Sequence, residues 1–141
     1  MKHERGENYE WALRHLRHLF GQKLPTAIVS DRELGLLQAA KRVFPEVKHL
    51  LCRVHVHRNV KAYANCKIKS DESRDRFTRG VQWLFRSATV EIYENRLARM
   101  WESWAGLMNY VQIVWLGPYK EHLVSAWTDI VLHFVTRSTN R

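Results

Sequence analysis

Tyr9, Leu13, Leu16 and Phe20 recur at helical spacing and predict one apolar stripe along a first helix. Gly21 follows where a helix C-terminus favours glycine. His15 and His18 fall off the stripe, on a solvated basic face rather than as a ligand pair. Residues 26–30, TAIVS, are short and β-branched and predict a buried strand. Ser30 and Glu33 then stand at the spacing of a capping box. Leu36, Leu37, Ala40, Val43 and Phe44 mark the buried face of a second helix, which Pro45 stops. Residues 47–52, VKHLLC, predict a second strand. Two strands joined by a crossover of about a dozen helical residues run parallel in one βαβ unit.

From Arg53 onward the pattern is helical. Tyr93, Leu97, Trp101, Trp104 and Met108 form one stripe, and Leu123, Trp127, Ile130 and Phe134 another. Gly117 and Pro118 are expected to separate them. Tryptophans at helical spacing beside Leu and Met belong to a core more often than to a base-stacking surface. The predicted fold class is therefore α/β, mostly helical, with a single parallel βαβ unit. No repeat, low-complexity tract or linker interrupts it.

Composition narrows this only slightly. A chain of 141 residues supports one domain with a proper core. No apolar run approaches the ~18 residues of a membrane span, and the first residues lack the apolar segment of a signal peptide. Cys52 and Cys66 are too few for a disulfide framework and read as reduced thiols or metal ligands. The net charge is +9, which suits a polyanionic partner. Residues 53 to 99 hold 11 Lys/Arg against 5 Asp/Glu, so most of the excess lies in one third of the chain.

Asp31 stands where the first strand gives way to the second helix. In open α/β sheets, chemistry collects beyond the carboxyl ends of parallel strands. An acid there also suits the helix dipole whatever the function, and the residues alone favour that plainer reading. A wider pattern adds to it. The run IVSDRELGLLQAAKRVFPEVKHLLCRVHVHRNV resembles a segment of the Mutator-like element (MULE) transposases. The matching positions are Asp31, Arg32, Glu33, Leu34, Leu36, Ala39, Phe44, Pro45, Cys52, Arg53, His55 and Asn59. The resemblance extends over about residues 7 to 141, through ENYEWALRHLRHLFG, VQWLFRSATVEIYENRL and the ending AWTDIVLHFVTRSTNR.

That resemblance implies a partial ribonuclease H-like fold over residues 7–65, with a large all-α insertion over 66–141, in a single partial catalytic domain. It implies an Asp-Asp-Glu triad holding Mg2+ or Mn2+ for DNA strand cleavage and transfer, with Asp31 as the second acid. The family's first Asp precedes the segment seen here and its final Glu follows it. The chain alone is therefore expected to be catalytically inactive and to require no metal. Asp71, Glu72 and Glu121 read as surface acids and not as substitutes. Without a neighbouring strand, Ile28 and Val29 are expected at an exposed sheet edge that favours self-association.

Cys52 and His55 form a Cys-x2-His group that the resemblance places near the active site. With His57 and Cys66 they could supply four zinc ligands, although the spacing matches no standard finger. A buried thiol and a hydrogen-bonded histidine fit equally well. Arg53, Arg58, Lys61, Lys67 and Lys69 are candidates to neutralise DNA phosphates, or they line a solvated face. His133 is assigned only packing. Three functions compete: a fragment of a MULE-type transposase, a domesticated DNA-binding regulator of the far-red-impaired-response type, and a small zinc-dependent interaction domain. DNA as partner and a nuclear location are inherited from the resemblance.

Overall fold

A computed structural model of the chain describes residues 2–129. Ile130, His133, Phe134 and the STNR ending lie outside them. The described residues form two compact units, one up to Cys52 and one from Arg53 onward. The chain is mostly helical with one small sheet.

The first unit runs α1 (Lys2–Phe20), β1 (Ala27–Ser30), α2 (Leu34–Val43) and β2 (Lys48–Leu51). β1 and β2 pair in parallel, with Ala27 opposite Lys48 and Ser30 opposite Leu51. The βαβ unit expected from the two apolar runs is thus present, each strand slightly shorter than the sequence suggested. Ala39, Ala40, Val43 and Phe44 of α2 and its end join Leu50 and Leu51 of β2 in the buried set.

α1 packs against α2, with Tyr9 and Leu13 half-buried. Phe20 meets Phe44 edge-on, ring centroids 6.5 Å apart. Arg17 ties the same corner together. It donates to the Val43 carbonyl and to both carboxylate oxygens of Glu46, and its guanidinium lies 5.5 Å from the Phe44 ring centroid. α1 ends as expected: Gly21 adopts φ of 59°, and its N–H reaches the Arg17 and His18 carbonyls.

The start of α2 departs from the sequence reading. The N-cap is Glu33, and no side chain caps the helix. Ser30 is the last residue of β1, and its hydroxyl is already engaged by His49 of β2 at 2.7 Å. Strand pairing claims the side chain that the capping box needed.

The second unit contains α3 (Arg53–Lys67), α4 (Asp71–Phe85) and α5 (Val90–Val111). A π-helical turn (Gln112–Leu116) and α6 (Gly117–Leu123) follow. Ser70 and Thr89 cap α4 and α5, accepting from Ser73 N–H and Ile92 N–H. Val56, Val60 and Ala64 of α3 are buried, as are Phe77, Val81, Leu84 and Phe85 of α4. Met100, Met108, Val111, Trp115, Leu116 and Leu123 are buried further along. Gly80 brings α5 close, since a Cβ there would lie 2.7 Å from the Met100 sulfur.

Two features here were not legible in the sequence. Trp104 breaks the helical geometry inside α5, at φ −139° and ψ 38°, while its ring meets Phe77 edge-on at 5.5 Å. The helical path also does not stop at Gly117 and Pro118. Gly117 N–H bonds back to the Gln112 carbonyl, and the π-turn absorbs the interruption that a proline imposes on the ladder. The break comes instead at Val124, which is extended at ψ 134°.

Candidate functional site

Parallel pairing brings both strand ends out on one edge. Cys52 N–H bonds to the Ser30 carbonyl at 2.8 Å, carrying the ladder one step past β2. Asp31 and Cys52 therefore leave the sheet side by side at its carboxyl edge, where open α/β sheets collect ligands. Asp31 is exposed, in the connection between β1 and the Glu33 cap. Its carboxylate accepts the Arg32 N–H at 2.7 Å, so the side chain folds back over its own turn.

Ser30 and His49 hold this edge from beneath. The Ser30 hydroxyl donates to the Asp31 carbonyl at 3.0 Å. Its one proton being used there, the imidazole Nε2–H of His49 is the donor in the 2.7 Å contact with Ser30 Oγ. His49 is buried. The relay from His49 through Ser30 to the Asp31 carbonyl fixes the backbone that carries the carboxylate. Sequence reading passed over His49; the signal was the pairing register, which puts Ile28 and His49 opposite one another and Ser30 next to both.

The other candidate residues lie on or beyond α3. His55 and Cys66 are exposed and eleven positions apart on one helix, about 16 Å along its axis. His57 turns toward α4, its Nε2 3.5 Å from Gln82 Nε2. Burial, then the charges of Lys61 and Arg86, push its pKa down. Among the described residues, no three His, Cys, Asp or Glu side chains come together as metal ligands. Cys52, His55, His57 and Cys66 are not gathered into one site.

Arg53 is drawn inward. Its Nε donates to the Leu123 carbonyl at 3.0 Å and its terminal nitrogen to Ser125 and Thr128 at 2.8 and 3.2 Å. Asp129 lies 3.9 Å away. Burial lowers the Arg53 pKa, the Asp129 charge opposing it. The guanidinium locks the chain after α6 onto the start of α3. Arg58, Lys61, Lys67 and Lys69 are exposed, and Lys67 lies 5.9 Å from the Tyr63 ring centroid. Arg58 and Lys61 share one face, whereas Lys67 sits half a turn away.

Mg2+ and Mn2+ take hard oxygen ligands. At the carboxyl edge the described residues offer one carboxylate, Asp31, beside the soft sulfur of Cys52. That donor set does not by itself fit a two-metal centre.

Residues 1–59 match the family model of the MULE transposase domain, a stretch that contains Asp31, Cys52 and His55. Protein FAR-RED IMPAIRED RESPONSE 1 of Arabidopsis thaliana is 24% identical over 127 residues, covering 89% of this chain. The chain spans 15% of that relative's length. No solved structure matches. The MULE resemblance read from the sequence is thereby borne out for the first 59 residues, and the far-red-impaired-response likeness extends beyond them. Among the described residues no helix is long and apolar enough to cross a membrane.

Proposed function

We propose that the chain is part of the catalytic core of a MULE-type, transposase-derived protein, and that its partner is DNA. The first unit is the portion of a ribonuclease H-like sheet that carries Asp31, within residues 7–65, and the described residues from 66 onward belong to a helical insertion. Asp31 is one of the carboxylates that hold Mg2+ or Mn2+ when the remaining acids are supplied from outside the described residues. With one such carboxylate, this chain alone binds DNA without cutting it. Arg58, Lys61, Lys67 and Lys69 are the cations available to phosphates, and the workplace is the nucleus.

The observation that carries this reading is the position of Asp31: at the carboxyl end of a parallel strand, inside the segment that matches the family model. Duplex DNA binding followed by fluorescence anisotropy across a salt series tests it. Affinity should fall steeply between about 50 and 200 mM salt, and no nicking should appear with Mg2+ or Mn2+. Nicking that disappears in Asp31→Asn would overturn the inactivity. Absence of any DNA affinity at low salt would sink the reading as a whole.

A second reading, a regulatory protein that retains DNA binding without transposition, is favoured by the likeness to the Arabidopsis protein. Selection from a random duplex pool separates the two. A regulator enriches a defined sequence with this chain alone, and a fragment of a catalytic core does not.

A further inference from the structure

We propose that the surface formed by Lys61 of α3, Arg79 and Trp83 of α4, Arg86 at the C-cap of α4, and Arg96 of α5 binds a single strand of nucleic acid, its phosphates on the cations and a base against Trp83. The inference rests on nucleic acid being the partner, and it places the contact within the second unit, mainly on α4.

Charge is the first support. α3 contains no acidic residue, and α4 has none after Asp75. α3 and α4, joined by residues 68–70, pack together, with His57 and Gln82 in contact between them. The charges of Lys61 and Arg86 both disfavour protonation of His57, so both cations lie in its neighbourhood. Arg79 and Arg86 are seven residues apart on the exposed side of α4, about 10 Å along its axis. Among the described residues, no carboxylate forms an ion pair with Lys61, Arg79 or Arg86. The acids of α4 lie in its N-terminal half, where Glu72 is paired with Arg76 at 3.5 Å and Asp71 with Arg74; Asp75 borders Arg79 without pairing to it, so Trp83 and Arg86 lie beyond the last acid of the helix.

The second support is an aromatic ring where a solvated face would not place one. Trp83 is 38% exposed and lies between Arg79 and Arg86 on the same side of α4. Arg96 rests against it, the guanidinium carbon 4.6 Å from the ring centroid, and is fixed there by a 2.6 Å hydrogen bond to the Trp83 carbonyl. The other tryptophans of this unit at positions 101, 104, 115 and 127 are half-buried or buried. An indole backed by a cation and flanked by unpaired arginines is the combination that non-specific single-strand binders use: a basic track plus a stacking platform. A duplex keeps its base faces stacked inside and offers the indole nothing equivalent, so the ring argues for an unpaired strand.

Fluorescence anisotropy with a labelled homothymidine oligonucleotide, and with a hairpin duplex for comparison, tests this on the full chain. Wild type should bind the single strand with log K falling linearly in log salt. Each of Lys61→Gln, Arg79→Gln and Arg86→Gln should reduce that slope by about 0.7. Trp83→Leu should weaken single-strand binding about 5- to 150-fold with little effect on the duplex, while Trp83→Phe keeps most of the affinity. Circular dichroism and the melting midpoint of each variant show whether it is folded; should Trp83→Leu unfold, Trp83→Phe and the three cation variants carry the test. Single-strand affinity untouched by all of these substitutions would overturn the proposal while leaving DNA as the partner. Loss of duplex and single-strand binding in equal measure on Trp83→Leu would overturn the single-strand assignment. Absence of wild-type binding to either probe would remove the underlying reading as well.

Discussion

Individual side chains at two places in this protein do more than their residue types announce. Arg53 is one. As an exposed lysine or arginine on a helix it would only add charge, but here its donors reach a carbonyl and two buried hydroxyls. Removing it takes the donor from the buried hydroxyls of Ser125 and Thr128, of which Thr128 keeps its bond to Asp129. Arg53→Leu should therefore cost about 1–3 kcal/mol, read as a lower urea midpoint with unchanged m-value. Arg53→Lys should recover little, because a single ammonium cannot reach three acceptors. Nothing in the sequence separates Arg53 from Arg58: the difference lies seventy residues away, in the carbonyl of Leu123.

The pair Arg17 and Glu46 makes the second case. Paired hydrogen bonds from Arg17, then one from its own backbone, hold the Glu46 carboxyl at about 2, below its ordinary value of 4.5. A carboxylate with a depressed folded-state pKa stabilises above its unfolded pKa and loses that contribution as pH falls toward the folded value. The stabilisation should thus be complete at neutral pH and fade between 4.5 and about 2. The pair is half-exposed and solvent screens it, so the effect is modest. Urea midpoints of wild type and Glu46→Gln should differ at pH 6, and most of that difference should be lost by pH 2.5. A difference that persists unchanged at pH 2.5 would show that the carboxylate's charge is not what matters.

At the scale of elements, backbone geometry decides what substitutions do. Gly21 closes α1 with φ of 59°, a region costly for side chains, and Gly21→Ala should destabilise by about 1 kcal/mol. Gly35 sits inside α2 with room for a methyl: a Cβ would lie 3.5 Å from the Tyr9 ring, an ordinary contact. Gly35→Ala should leave stability unchanged or raise it by up to about 1 kcal/mol. Opposite shifts in thermal midpoint for these two Gly→Ala changes are the expected result. A loss of similar size in both would mean that α1 and α2 approach more tightly than these distances give. This scale is also where the sequence was most and least readable. The β-branched run at 26–30, the stop at Pro45 and the glycine at 21 each act locally, and their elements formed where expected. The capping box failed because His49, nineteen residues on, took the Ser30 hydroxyl. The break expected at Pro118 was displaced because a π-turn, which no local propensity encodes, took up the mismatch. Asp31 was legible as a strand-end carboxylate from its neighbours alone. Its support by Ser30 and His49 required the strand register, and the exposed indole of Trp83 required knowing which side of α4 is buried.

For the molecule as a whole, the weakest feature is the sheet. Among the described residues it has two strands, so β1 pairs on one side only. Two strands are marginal without further cover, and an unpaired strand edge is a template for another copy. Apolar surface lies close by in sequence, Val29 at 58% and Leu34 at 61% exposed. Trp11 and Leu19 of α1 add to it at 66% and 82%. The net charge of +9 opposes association at low salt and is screened as salt rises. Self-association should therefore increase with ionic strength, the reverse of DNA binding. Sedimentation velocity at two salt concentrations reads this directly. Val29→Lys puts a charge on the strand without touching its pairing with Leu50, and it should return the high-salt distribution toward monomer. A wild-type chain that sediments as a single monomer at both concentrations, with a high melting midpoint, would show that the open edge is already protected. If association persists in Val29→Lys but is lost in Leu19→Lys, the contact is made by the outer face of α1 and not by the strand.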